Sequence, residues 1–277
     1  MTMTDFYKID EYLASEPDPA FARRAKIIIE NLEISGSEKV LDVGCGRGFY
    51  LKILKGAFPK LRLFGIEINE KYLDIAGRSL AGKSVVLTLA DAIDLPFKNN
   101  SFDRIIASEI IEHIKGDEKA VSEIYRTLKP GGVVIASVPN KDYPLLWDPL
   151  NWFLERFFKI HLPPRIWWLA GIWADHQKLY SEKELEKLFQ KVGFEIGKTW
   201  KTTHYCLPFS HFVLYGLGKN LVELGFLKDF NRFRKTNKPS YMNKILLWPV
   251  RFIDRLNETR KGYKTSVNII MKARKPR

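Results

Sequence analysis

Cysteine is nearly absent from this chain. Its two cysteines, Cys45 and Cys206, stand far apart in unlike surroundings, which excludes a disulfide scaffold and a thiolate metal site and fits a reducing compartment. Long apolar runs are missing as well. Tyr205 to Gly218 is almost wholly apolar but is interrupted by Ser210 and His211, and it falls short of the about 20 residues that a bilayer span takes. The opening stretch, Met1 to Asp18, is acidic and lacks the apolar core of a secretory signal, so the expectation is a cytoplasmic protein. Tryptophan does not occur in the first 146 residues, and the first 197 carry almost no net charge, with 27 Lys or Arg against 28 acids. The last 80 residues hold 18 Lys or Arg against four acids, so they contain all of the chain's excess of +13. The first part reads as neutral and self-contained, the second as something that meets a surface.

What is present is an ordinary soluble composition, 45% hydrophobic and 28% charged over 277 residues. That is enough for one domain of about 200 to 250 residues carrying a sizeable insertion. The informative stretch is Val40-Leu41-Asp42-Val43-Gly44-Cys45-Gly46-Arg47-Gly48-Phe49-Tyr50. It reads as a buried strand, a glycine-rich turn and the start of a helix. Glycines at such a turn let backbone approach a ligand closely, with the N–H groups of the helix start pointing at it. A dinucleotide fingerprint would place its third glycine at position 49, where this chain has Phe49. Asp42, two residues before Gly44, would repel a pyrophosphate and suits a ligand bearing an ammonium or sulfonium charge.

At this point the chain resembles the class I S-adenosylmethionine-dependent methyltransferases, whose first motif has this form. Downstream segments strengthen the likeness. Leu61 to Glu67 reads as a strand ending in an acid 19 residues past Gly48, at the βαβ spacing where a carboxylate accepts from both ribose hydroxyls; Glu67, with Ile68 after it, is the expected ribose site. Glu70 to Leu80 reads as a helix and Val85 to Leu89 as a strand. The resemblance assigns the adenine edge to Asp91 and Ala92 in the run Asp91-Ala92-Ile93-Asp94-Leu95-Pro96-Phe97, and Ser101-Phe102-Asp103 continues the family pattern into a strand over Arg104 to Ser108. Leu128-Lys129-Pro130-Gly131-Gly132 resembles the turn that leads into the fifth strand, here Val133 to Val138. Ser181 and Glu184 form a capping box for a helix carrying Leu185, Leu188, Phe189 and Val192; Phe194 to Thr199 and Ser266 to Met271 are the expected last strands.

The resemblance therefore implies an α/β fold, a doubly wound, seven-stranded, mostly parallel Rossmann-like sheet with two helical lid insertions. A leading helical segment covers 1–35, the core 36–200 plus 263–277, and the insertions 141–175 and 202–262. The implied cofactor is S-adenosyl-L-methionine, held by Asp42, Gly44, Cys45, Gly46, Gly48, Glu67, Ile68, Asp91, Ala92 and Ser108. The leading helices either lie over that cofactor or pack on the sheet edge.

Methyl transfer from a sulfonium is an in-line displacement, in which a protein aligns the partners and removes a proton where the acceptor is a hydroxyl. His113 and His176 are the candidate catalytic residues, His176 as a general base or as a packing residue. Glu109, Glu112 and His113 fall on one face if a helix starts there. This E-x-x-E-H pattern resembles a metal-binding segment of ubiquinone-biosynthesis O-methyltransferases and small-RNA 2′-O-methyltransferases, a likeness that makes His176 a candidate further ligand, but relatives without metal share the pattern, and the reading assigns no metal.

Nucleic acid is not the expected partner. The run after strand four is Ser108-Glu109-Ile110-Ile111 rather than the Asp/Asn-Pro-Pro-aromatic motif of base amino-methyltransferases, and neither cysteine sits where a cytosine-C5 nucleophile is needed. Ile245 to Leu256 mixes apolar residues with Arg and Lys, as an interfacial helix does. The expected acceptor is a small lipophilic or lipid-linked molecule methylated on oxygen or carbon, with peripheral contact to an anionic membrane face. An RNA methyltransferase and a non-catalytic cofactor-binding protein are the alternatives.

Overall fold

The computed structural model describes residues 3–14, 16, 18–163, 165, 170–174, 176–209, 212, 248–259 and 264–277. Its centre is a seven-stranded sheet in the order β3-β2-β1-β4-β5-β7-β6. The strands are β1 (Lys39–Val43), β2 (Arg62–Glu67), β3 (Val85–Leu89), β4 (Phe102–Ser108), β5 (Leu128–Pro139), β6 (Glu195–Thr202) and β7 (Asn268–Arg274). The pairs from β3 through β5 are parallel, and β7 runs antiparallel to both β5 and β6.

Neighbouring residues on each central strand enter different cores, as expected for strands covered on both faces. Val40, Ile106 and Ile135 join the cluster that contains Ile28, Ile29, Leu51 and Leu54. Leu41, Ile105 and Val134 join the opposite one, with Val121, Ile124, Leu185 and Phe189. The first cluster is covered by α1 (Met3–Leu13), α2 (Pro19–Asn31), α3 (Phe49–Ala57) and α4 (Glu70–Ser79), the second by α5 (Asp117–Thr127) and α7 (Glu182–Val192).

Three boundaries differ from expectation for physical reasons. Strand five starts early, at Leu128, because the Leu-Lys-Pro-Gly-Gly run is a bulge within the strand: Phe102 pairs with Leu128, and the next pair is Arg104 with Val133. The last two strands extend further, to Thr202 and Arg274, because they pair with each other along their whole length. The α7 capping box is present, with the Glu184 N–H donating to Ser181 Oγ at 3.3 Å and the Ser181 N–H to Glu184 Oε2 at 2.7 Å.

Asp18 caps α2 by accepting from the Ala20 N–H at 3.0 Å, and Pro19 takes the first turn, where no N–H is needed. This helix touches β5, β6 and β7, so it packs on the sheet while Arg24 reaches the end of β4. Between β5 and α7, α6 (Pro149–Phe153) and one π turn (Leu154–Phe158) are pinned rather than loose. Tyr143 and Trp147 are buried there, and the Asp148 carboxylate accepts from the N–H groups of Asn151 and Ile172. The helix expected around 245–256 is α8 (Trp248–Thr259). Most of the Tyr205 to Gly218 run lies outside the described residues.

Candidate functional site

The C-terminal ends of the parallel strands open into a cleft of about 340 Å³, the place where open α/β sheets bind ligands. Gly44, Glu67, Ile68, Asp91, Ala92 and His113 line it, together with Ile66, Ile93, Ile110 and Ile114. Six of the sequence-expected residues thus line one cleft. A Cβ at Gly44 would strike Ile110 Cγ1 at 2.7 Å, so the cleft closes there against a bare backbone. Gly46 has φ +52 and open space where a side chain would go. The small size of Gly48 serves packing instead, since a Cβ there would press on Leu80 and Ala76 at 3.1 and 3.2 Å.

Glu67 is held at both oxygens. Oε2 accepts from the Gly46 N–H and Oε1 from the Asn69 N–H, each at 2.9 Å. Each oxygen keeps a lone pair for a further donor, so the carboxylate is both loop clamp and presented acceptor. Asp91 Oδ1 similarly accepts from the Ile93 N–H at 3.1 Å. The Cys45 side chain turns inward against Gly65, and burial pushes its thiol far up. What Cys45 offers at the loop is backbone, its N–H bonded to the Ile66 carbonyl at 2.8 Å.

Asp42 lies buried beneath the loop. Its Oδ2 has no hydrogen-bond partner among the described residues, and burial, reinforced by the charge on Glu67, raises its pKa to about 8. An orphaned carboxylate oxygen inside a protein is costly unless something pairs with it. A cationic ligand head would satisfy that need.

Ser108 belongs to a second assembly. Tyr50 Oη is 3.0 Å from Ser108 Oγ, Ser108 Oγ is 2.9 Å from Ser137 Oγ, and Ser137 donates to Glu109 Oε1 at 3.0 Å. Because Ser137 spends its hydrogen on the carboxylate, the donor direction runs from Tyr50 through Ser108 to Ser137. Asn268 Nδ2 donates to Glu109 Oε2 at 3.0 Å, and Arg24 Nη1 stands 3.2 Å from the same oxygen. Tyr50, Ser137, Asn268 and Arg24 come from four elements and carry no common spacing, so sequence reasoning had no signal for them.

The single helical face expected for Glu109, Glu112 and His113 does not form. Glu109 adopts φ 53 and leaves the strand toward Arg24, while Ile111–His113 make a short 3-10 turn. Structure replaces Glu109 with His176. Glu112 is fully buried, both its carboxylate oxygens lack hydrogen-bond partners among the described residues, and His113 Nε2 and His176 Nε2 lie 3.9 and 4.0 Å from its Oε1. Burial, then the nearby Glu109 charge, raises the Glu112 pKa well above the usual carboxylate range. His176 Nδ1 faces the Ile172 carbonyl, which as the acceptor fixes a tautomer with Nε2 free of hydrogen. The three donor atoms lie within 4.8 Å of one another. Two imidazoles and one carboxylate can pass a proton or seat a zinc-type ion; with Glu109 withdrawn, the oxygen-rich set that magnesium prefers is gone.

A methyltransferase-domain family model matches residues 41–136, from β1 through most of β5. Over 182 residues the chain is 31% identical to a demethylmenaquinone methyltransferase of Staphylococcus aureus, covering 61% of this chain and 73% of that one. The chain belongs to the class I S-adenosylmethionine-dependent methyltransferases. This methyltransferase is also 31% identical over 235 residues to an uncharacterized protein of Methanocaldococcus jannaschii, with 79% of this chain and 89% of that one aligned. Among solved structures, Haemonchus contortus phosphoethanolamine N-methyltransferase 2 in complex with S-adenosyl-L-methionine superposes with a TM-score of 0.58 at 20% identity, over 92% of this chain and 53% of that one. The cofactor of the methyltransferase is S-adenosylmethionine, and the unpaired Asp42 and the bare glycine cradle fit it.

Proposed function

We propose that this methyltransferase methylates an oxygen or carbon of a small lipophilic acceptor that loses a proton as the methyl arrives. The observation that carries this reading is His113 on the cleft wall with His176 and buried Glu112 behind it. When bound, S-adenosylmethionine supplies an activated methyl whose carbon–sulfur bond breaks as the acceptor attacks, leaving a neutral thioether. The chain's own residues do the rest. Asp42 pairs with the ammonium group, Glu67 and Ile68 hold the ribose, Asp91 and Ala92 meet the adenine, and Gly44, Cys45, Gly46 and Gly48 let the backbone close on the ligand. Ser108 sits at the end of β4 with its hydroxyl fixed by Tyr50 and Ser137. The acceptor proton passes to His113, and His176 and Glu112 orient that ring. An apolar acceptor suits the isoleucines of the cleft, and the Staphylococcus aureus relative is named for such a molecule.

Single-turnover transfer of labelled methyl from S-adenosylmethionine to lipid, RNA and small-metabolite fractions tests the reading. Label in the lipid or apolar metabolite fraction supports it. Label in RNA, with the basic region as its electrostatic footprint, or no transfer at all despite tight cofactor binding, overturns it in favour of the two alternative classes.

A further inference from the structure

α8 presents an apolar stripe to solvent. Trp248, Phe252 and Leu256 follow at i, i+4 and i+8 and are 64%, 55% and 44% exposed, and the rings of the first two stack at 5.6 Å. Arg255 is exposed beside them on the helix wheel, while Arg251, next in line, is half-buried and donates to the Ala14 carbonyl. The opposite side of α8 is anchored: Asp254 accepts from Arg23 at 2.7 Å, and Asn257 Oδ1 accepts the N–H groups of His204 and Tyr205, each at 2.8 Å. The stripe is therefore not the face by which this helix holds on to the protein.

A second exposed apolar group lies in the segment between β5 and α7. Phe157, Phe158 and Ile160 are 66%, 60% and 56% exposed. The segment that carries them is joined to the 204–209 stretch through the Phe209 N–H, which donates to the Leu146 carbonyl at 2.9 Å, and that same stretch is what Asn257 of α8 holds. Two exposed aromatic groups are thus tied to one length of backbone. Isolated exposed apolar residues are ordinary, but a grouped set is not.

Charge tells what covers them. Residues 204–264 contain 12 Lys or Arg against four acids, and two of those acids, Asp254 and Glu258, are already committed to Arg23. A second copy of the chain would bring like charge to like charge. An apolar stripe with an exposed arginine beside it, in a stretch of sequence rich in Lys and Arg, is the form of a helix lying in a membrane interface, where apolar side chains enter the headgroup boundary and cations meet anionic lipid. No helix among the described residues is long and apolar enough to cross a membrane, so the contact is one of lying on the surface.

We propose that α8 and the Phe157–Ile160 segment dock this protein on an anionic lipid bilayer. The basic excess beyond Lys198 does not act as one patch in this. Lys272 and Arg274 pair with Glu33, and Lys275 is held by the carbonyls of Tyr125 and Leu128, at the far end of β7 from the cleft. Among the described residues the docking charge of α8 sits at Arg255, and most of the Lys and Arg of 204–264 lie outside them.

The test is sedimentation of the full chain with vesicles of phosphatidylcholine, alone or mixed with one-third phosphatidylglycerol, at low and high salt. Most protein pellets with the anionic vesicles at low salt and little with the neutral ones, and raising the salt lowers the bound fraction several-fold without abolishing it. Trp248→Glu and Phe252→Glu each lower partitioning about tenfold while S-adenosylmethionine binding and the circular dichroism spectrum stay unchanged, and bromine-labelled acyl chains quench tryptophan fluorescence in the parent but less in Trp248→Glu. Protein that stays in the supernatant with anionic vesicles overturns the proposal. So does a dimer dispersed by Trp248→Glu, or RNA binding that depends on Trp248 and competes with the vesicles.

Discussion

The proposed pairing of Asp42 with the cofactor's ammonium group makes cofactor binding a proton-linked event. With its pKa near 8 in the free protein, the carboxyl is protonated at neutral pH, and a cation pairing with it expels that proton. Affinity for S-adenosylmethionine should rise with pH up to about 8 and then level off, with proton release at pH 7 visible by calorimetry in buffers of different ionisation enthalpy. The same raised pKa works against the free fold. Its stabilising contribution is complete below the unfolded carboxyl range and is lost as pH climbs toward 8, so the cofactor's protective effect on melting should be larger at pH 8 than at pH 5. Glu67→Ala removes both a ligand acceptor and the clamp on the Gly46 N–H, and a loss of about 1.5 to 3 kcal/mol in cofactor binding is expected for a charge-assisted bond; unchanged titration curves would break that assignment. Gly46→Val fills open space at φ +52 and should abolish binding. His176→Ala should slow methyl transfer and leave cofactor affinity intact, since His176 sits behind His113 rather than on the cleft wall. Exhaustive chelation should leave turnover unchanged; a loss restored by zinc would reassign Glu112, His113 and His176 to a metal.

Among the elements, those written in consecutive residues were the legible ones. The strand-turn-helix of β1 and α3, the acid closing β2 and the Ser181/Glu184 box each depend on neighbours in sequence, and the structure holds all three. What depends on distant neighbours was not legible. The left-handed turn at Glu109 forms only because Arg24, Ser137 and Asn268 wait on other elements, and the place of His176 beside Glu112 and His113 was legible only through the family resemblance, since it takes the segment between β5 and α7 to fold back onto the β4 end. The hydrogen bonds by which Asp148 and Asn151 hold α6 to Ala170 and Ile172 were equally hidden. A Cβ at Gly171, with φ +57, would lie 1.9 Å from Asp148 Oδ2, so Gly171→Ala should destabilise the protein by roughly 1 to 3 kcal/mol, read as a lowered melting temperature. It should also impair turnover, because His176 hangs from the Ile172 carbonyl. Ser181→Ala, by contrast, should cost about 1 kcal/mol through the lost cap and leave turnover per folded molecule unchanged.

At the scale of the whole molecule, the sheet depends on β7. It lies between β5 and β6, and its residues Asn268–Met271 are buried. Removing residues 268–277 leaves β6 with no partner and strips one face of each core, so the truncated chain should lose its cooperative thermal transition; a sharp transition near that of the parent would show that β7 is dispensable. The strand order also sets a timetable. β6 ends at Thr202 and its partner does not begin until Asn268, so at a translation rate of about 5 to 20 residues per second β6 waits for roughly 3 to 13 seconds while residues 203–267 leave the ribosome. In that interval the edge of β5 is an open template as well. Synthesis is thus the period when this chain is most exposed to aggregation and most in need of a chaperone, and slowing elongation across 203–267 should lower the yield of folded protein more than slowing it anywhere upstream.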